Sequence, residues 1–218
     1  MNTHAIDDEK ALDRVVFFSD AIFAIAMTLL VLQLTIPVVH GGSEQELWHQ
    51  LNKQLPSFWS FALSFFTIGL QWMAHQRKFR LIRRYDGVLL WINMLFLFCI
   101  AFLPFPTAVL GSNGGQASTV FYASSMAVTG IMGWLLTVYA YGRHRLIDAD
   151  IDPALIKHWM RRAAAMPVVF LVSIPIGFYS ARAAQFTWLL VFVLNGVLGR
   201  IHRRHHPALV PGEVELEG

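Results

Sequence analysis

The stretch Arg14-Val-Val-Phe-Phe-Ser-Asp20-Ala-Ile-Phe-Ala-Ile-Ala-Met-Thr28-Leu-Leu-Val-Leu32-Gln-Leu34 places one acidic residue inside an apolar run of helical length. An ionisable side chain is costly in lipid, so Asp20 must be paired inside a helix bundle or be functional there. Composition extends this reading to the whole chain. Hydrophobic residues make up 56% and charged residues 14% of 218 residues, whereas soluble domains carry about a quarter charged residues. The mean hydropathy is +0.50. A hydrocarbon core of about 30 Å needs roughly 20 residues of helix. Six runs meet that length, near residues 12–37, 57–80, 86–110, 117–142, 164–181 and 183–201. Only Ala181-Arg182-Ala183 separates the last two, so one long kinked stretch is the alternative there. The sequence therefore predicts an all-α integral membrane protein, with residues 1–206 as one six-helix domain lacking an internal repeat.

Orientation follows from the basic residues. Arg77, Lys78, Arg80, Arg83 and Arg84 follow the second run, and Arg143, Arg145, Lys157, Arg161 and Arg162 lie between the fourth and fifth. Arg200, Arg203 and Arg204 belong to the tail, Lys10 and Arg14 to the start, and only Lys53 and Arg182 fall on the other side. The positive-inside rule places both termini in the cytoplasm, as an even number of spans requires, in an inner-type cell membrane. The net charge of +3 is scattered over juxtamembrane loops, which fits lipid headgroups and not nucleic acid. Met1–Asp13 lacks the order of a cleavable signal, so the first run is expected to be retained.

Between the runs, Pro37–Pro56 leaves room for a short external helix around residues 44–55. Leu103-Pro-Phe-Pro-Thr107 should break or kink the third run. Ser112–Gln116, with Gly111, Gly114 and Gly115 nearby, reads as an external turn. Asp148–Met160, with Leu155, Ile156 and Trp159 at helical intervals, is expected as an amphipathic helix on the bilayer surface. The composition of residues 207–218 predicts a disordered cytoplasmic tail.

At roughly 100° per residue, Ile25, Leu29 and Leu32 share one helix face, flanked by Ile22 and Thr28. Asp20 points roughly 140° away from that stripe. Periodicity alone favours reading the stripe as an ordinary packing or lipid-facing surface, and nothing in the spacing marks a pore. Depth gives a second inference. Asp20 lies about 12 Å from the cytoplasmic start of its helix, and Trp72, His75 and Asn93 lie at similar depth on the next two runs. Polar groups at matched depth satisfy one another where water is excluded, which predicts a buried cluster of Ser19, Asp20, Trp72, His75 and Asn93, reached by Arg14. A lone intramembrane His or Asn is more often a hydrogen-bond partner than a ligand.

Other chemistry is sparse. Cys99 is the single cysteine and lies in an apolar run, so it supplies packing and neither a disulfide nor a thiolate metal site. His202, His205 and His206 have some metal-ligand spacing but read as a basic membrane-surface tail. The sequence contains no phosphate-cradling glycine loop, HExxH pattern or nucleophile elbow. It predicts no enzyme, cofactor or fixed metal.

Arg14-x-x-x-Phe18-Ser19-Asp20 followed by Ala24-Ile25-Ala26-x-Thr28-Leu29-Leu30-x-Leu32 resembles the first-helix signature of the transmembrane protein 175 family. Trp72-x-x-His75, and Asn93 followed by Leu103-Pro-Phe105, resemble that family's second and third helices. The resemblance covers residues 14–106. The family comprises potassium-permeable channels of endosomes and lysosomes, with prokaryotic relatives of one six-helix unit per chain. It implies a homotetramer with four copies of the first helix around a central ion path. It further implies that Ile25, Leu29 and Leu32 form the narrowest part of the pore, with permeant potassium near Ile25 and Thr28. Thr28 matches a threonine proposed to help select potassium. The Phe18-Ser19-Asp20 cluster matches a structural network holding the helices together. The tandem second repeat of the animal proteins is absent.

A ring of isoleucine or leucine cannot replace hydration oxygens, and the sequence has no carbonyl-filter motif. Such a ring would block by dewetting when narrow and conduct when widened, with modest discrimination between potassium and sodium. A proton-coupled transporter relaying protons through Asp20 and His75 is the alternative, although no inverted repeat accompanies them. A membrane scaffold without transport of its own is a third reading.

Overall fold

The computed structural model describes residues 3–38, 43–142, 146–147 and 151–196. Apart from one isolated bridge between Ile82 and Ile147, the regular elements among these residues are helical. Helix α1 (Thr3–Leu29) continues into a 3-10 turn, Leu30–Gln33, and α2 (Glu44–Lys53) follows. Next come α3 (Leu55–Phe79), α4 (Gly87–Phe102), α5 (Pro104–Asn113), α6 (Gln116–Gly142), α7 (Pro153–Tyr179) and α8 (Ala181–Trp188). Residues 190–196 are helical again.

Local chemistry explains the boundaries. Ser43 accepts a hydrogen bond from the Glu46 amide at the start of α2, with acidic Glu44 and Glu46 in its first turn and Lys53 in its last. This is the short helix expected near residues 44–55, and it buries no residue. Asp86 caps α4 by accepting from the Leu89 amide at 2.8 Å. The third apolar run divides at Leu103, where Pro104 and Pro106 cannot continue the amide ladder but can begin a new helix. Gly114, at φ 58°, ends α5 in the left-handed conformation that glycine adopts freely, which makes the expected turn.

The structure revises the fifth and sixth runs. One continuous α7 replaces the expected surface helix plus span, and Ile156 is buried in the bundle rather than laid on the bilayer. Residues 148–150 lie outside the described residues. Helix α7 passes through Pro167 and Pro175 without ending. Gly130 of α6 accommodates the first of these, for a Cβ there would sit 2.9 Å from Pro167 Cδ. Ser180 is extended and its hydroxyl caps α8 by accepting from the Ala183 amide, so α7 and α8 are separate elements and not one kinked stretch.

Four segments among the described residues are long and apolar enough to cross a bilayer: Lys10–Gln33, Gly87–Asn113, Gln116–Gly142 and Pro153–Tyr179. The expected second span, α3, has the length but is interrupted by Ser57, Ser60, Ser64, Gln71 and His75. The expected sixth span is broken at Leu189 and runs beyond the described residues. The core is a continuous apolar interior drawn from most helices, with Phe23, Leu30, Ile68, Phe96, Tyr122 and Trp188 almost fully enclosed.

Candidate functional site

Ser19 and Asp20 are adjacent in α1 and therefore project roughly 100° apart. Each starts its own chain of hydrogen bonds. Asp20 accepts from the Trp72 indole Nε1 at 2.8 Å and from the Gln76 side-chain amide. Trp72 and Gln76 are four residues apart on one face of α3, so a single carboxylate meets both. Ser19 is fully buried. Its hydroxyl donates to the Val15 carbonyl at 2.8 Å and accepts from Asn93 Nδ2 at 3.2 Å. Asn93 Oδ1 lies 2.9 Å from His75 Nε2. With the Asn93 amide donating to Ser19, its oxygen is the acceptor, which assigns the hydrogen to His75 Nε2. The imidazole packs on the Phe79 ring at 4.4 Å and the Phe96 ring at 5.9 Å, and its buried Nδ1 has no hydrogen-bond partner.

The predicted cluster thus exists as two strings and not one, and it is not buried throughout, for Trp72 is 40% exposed and Asp20 only half-buried. Ser19, Asn93 and His75 join α1, α4 and α3, whereas Asp20, Trp72 and Gln76 join α1 to α3 alone. Hydrogen bonds among the described residues do not connect Asp20 to His75. Arg14 departs from expectation: it is exposed and belongs to neither string. Phe18 is likewise half exposed. One turn separates Arg14 from Phe18, and both lie on the outer side of α1 relative to Ser19.

The other face of α1 carries the stripe. Ile25 is 58%, Leu29 40% and Leu32 76% exposed on the single subunit, while Phe23, Ala26 and Leu30 are buried. Packing within the subunit covers little of Ile25 and Leu32 and only part of Leu29. Leu32 lies in the 3-10 turn that continues α1, three residues beyond Leu29. Thr28 is exposed beside them, and its hydroxyl donates to the Ile25 carbonyl at 2.9 Å. Its lone pairs stay available while its hydrogen is turned back on its own helix. Below the stripe, the Gln33 side-chain amide donates to the Pro104 carbonyl, which fixes the end of the 3-10 turn against the α4–α5 junction.

Sequence reasoning missed Gln76, Gln33 and Lys78. Gln76 sits one turn beyond Trp72 and was accessible to the same depth argument. Lys78 reads as a loop charge, yet it is buried, with Nζ donating to the Gly133 carbonyl at 2.9 Å and lying 5.8 Å from the Phe96 ring centroid. His202, His205, His206 and the tail 207–218 lie outside the described residues. Cys99 is partly buried.

Residues 14–104 match the family model described as endosomal/lysosomal potassium channel TMEM175. A protein named as a potassium channel from Streptomyces collinus is 30% identical over 173 residues, covering 77% of this chain and 83% of that one. A potassium channel from Chamaesiphon minutus is 30% identical over 190 residues, covering 85% and 91% respectively. In three dimensions the chain is similar to the crystal structure of a lysosomal potassium-selective channel TMEM175 homolog from Chamaesiphon minutus. The TM-score is 0.77 at 26% identity, over 87% of this chain and 98% of that one.

Proposed function

The chain belongs to the TMEM175 family, an integral-membrane family of ion channels and not enzymes, and on that premise we propose that it is a potassium-permeable cation channel. Four subunits assemble around an axis lined by α1, each contributing six spans, with both termini in the cytoplasm. The three apolar segments beyond α1 that qualify on length and composition, together with α3 and a span that begins with α8, supply the other five.

The observation that carries this reading is the placement of Ile25, Leu29 and Leu32. They form an exposed apolar stripe on one side of α1, while Ser19 and Asp20 bind α1 to its own subunit from other sides. A helix anchored by two polar strings, one of them buried, and presenting isoleucine and leucine outward is suited to face its own copies. Four such stripes make an apolar constriction that dewets when narrow and admits a partly hydrated cation when widened. Thr28, whose oxygen lies beside Leu29, offers lone pairs that offset part of the dehydration cost and favour potassium. Ser19, Asp20, Trp72, Gln76, His75 and Asn93 hold the helix in register and do not touch the ion. The proton-coupled alternative needs Asp20 and His75 in one relay, and they stand in separate strings.

Proteoliposomes loaded with potassium test the reading. Efflux down the potassium gradient without any pH gradient supports the channel. Transport that appears only when a pH gradient is imposed contradicts it.

A further inference from the structure

A cavity of ≈ 730 Å³ lies among α3, α6, α7 and residues 190–196, on the side of the molecule where α3 ends and α7 begins. Its charge is lopsided. Among the described residues, Arg77 and Lys78 of α3, Arg80 just past its end and Arg162 of α7 line it, against one carboxylate, Asp152, which is engaged in capping α7 through the Ala154 amide. The cations are held in place. Arg162 Nε donates to Asn195 Oδ1 at 3.3 Å, and buried Lys78 gives one of its three hydrogens to the Gly133 carbonyl. Gln71 also lines the cavity.

The lining is graded along its length. From Arg80 back to Leu70, α3 covers roughly 15 Å. Helix α7 follows the same order, passing from Asp152 through Arg162 to Met166. Arg80 and Asp152 therefore mark one end, Arg77 and Arg162 stand further in, and Leu70, Met166 and Val191 furnish apolar wall at the far end. A free phosphate would satisfy the arginines but leave this volume of apolar wall unfilled.

We propose that the cavity binds an anionic membrane lipid, its phosphate headgroup among Arg77, Lys78, Arg80 and Arg162 and an acyl chain directed toward Leu70, Met166 and Val191. Basic pockets between transmembrane helices take phosphate headgroups by charge, and the bilayer supplies the amphiphile. Binding here is independent of ion conduction, so either property can fail without the other.

The test is native mass spectrometry of the full-length protein released from detergent micelles and titrated with dioleoylphosphatidylglycerol, with dioleoylphosphatidylcholine and with free glycerol phosphate. Phosphatidylglycerol should bind saturably, phosphatidylcholine much more weakly, and glycerol phosphate should not displace it. Arg77→Gln should weaken phosphatidylglycerol binding roughly fivefold, whereas Arg161→Gln, an exposed charge outside the cavity, should leave it unchanged. Ala74→Phe, which fills the cavity, should lower binding at least as much while the protein elutes from size exclusion as the parent does. Equal binding of the two lipids, displacement by glycerol phosphate, an equal loss in Arg161→Gln, or parent-like binding by folded Arg77→Gln and Ala74→Phe proteins would each overturn the proposal.

Discussion

The Trp72 indole donates to the Asp20 carboxylate across 2.8 Å, joining α1 to α3 through the one acidic residue between Arg14 and Leu34. Gln76 donates to the same oxygen from one turn further along α3. Asp20 is thus an acceptor for two donors of one neighbouring helix, which makes it a fixture of the subunit and leaves the opposite side of α1 free.

Asp20→Ala should strand both donors. A donor left unpaired in a buried site costs roughly 1 to 3 kcal/mol; Asp20 is half-buried and Trp72 partly exposed, which puts the loss at the lower end, and the variant should yield less folded oligomer in detergent and melt at a lower temperature. Asp20→Asn keeps an acceptor oxygen and should recover much of that loss. Normal oligomers of Asp20→Ala that lose only pH-coupled flux would instead support a proton relay.

The stripe predicts the opposite phenotype, altered conduction with intact assembly. Ile25→Asn or Leu29→Ser should hydrate the constriction and raise potassium flux, because dewetting depends on an apolar lining. Single-channel or liposome flux recordings provide the check. Variants that assemble normally and conduct like the parent would remove these residues from the pore.

For Thr28, the contrast is between Val, which preserves shape and deletes the oxygen, and Ser, which keeps it. If the oxygen assists selection, preference for potassium over sodium should fall in Thr28→Val and largely survive in Thr28→Ser. Equal selectivity in all three proteins would leave the hydroxyl with only its bond to the Ile25 carbonyl.

Gly130 offers a purely structural prediction. A methyl group there would meet Pro167 Cδ and the Pro167 backbone nitrogen at 2.9 Å, and neither can yield without moving α6 from α7. Gly130→Ala should cost roughly 1 to 3 kcal/mol, read as a lowered melting temperature. An unchanged melting temperature would mean that the two helices do not pack this closely in the membrane.

Much of this was legible in the sequence because depth and periodicity are properties of a helix in lipid. Ser19, Asp20, Trp72, His75 and Asn93 could be grouped by their distance from one membrane face, and the structure brings them into hydrogen-bond contact. Their division into two strings was not legible, since it depends on how α3 and α4 rotate against α1. Arg14 lies near the group in sequence but on the exposed side of its helix. The continuity of α7 was hidden for a different reason. Arg161 and Arg162 read as the boundary between a surface helix and a span, whereas in the structure Arg162 turns inward and donates to Asn195. Lys78 looked like a loop cation because nothing local announces that the Gly133 carbonyl will receive it.

The most direct test of the central claim is the reversal potential of the purified protein in a planar bilayer with potassium on one side and sodium on the other, measured for the parent and for Leu29→Ser. The account predicts a parent current reversing on the potassium-selective side of zero, and a larger current in Leu29→Ser whose reversal moves toward zero as the apolar ring hydrates. A parent that carries no cation current, or a Leu29→Ser current identical to the parent's in size and reversal, would contradict it.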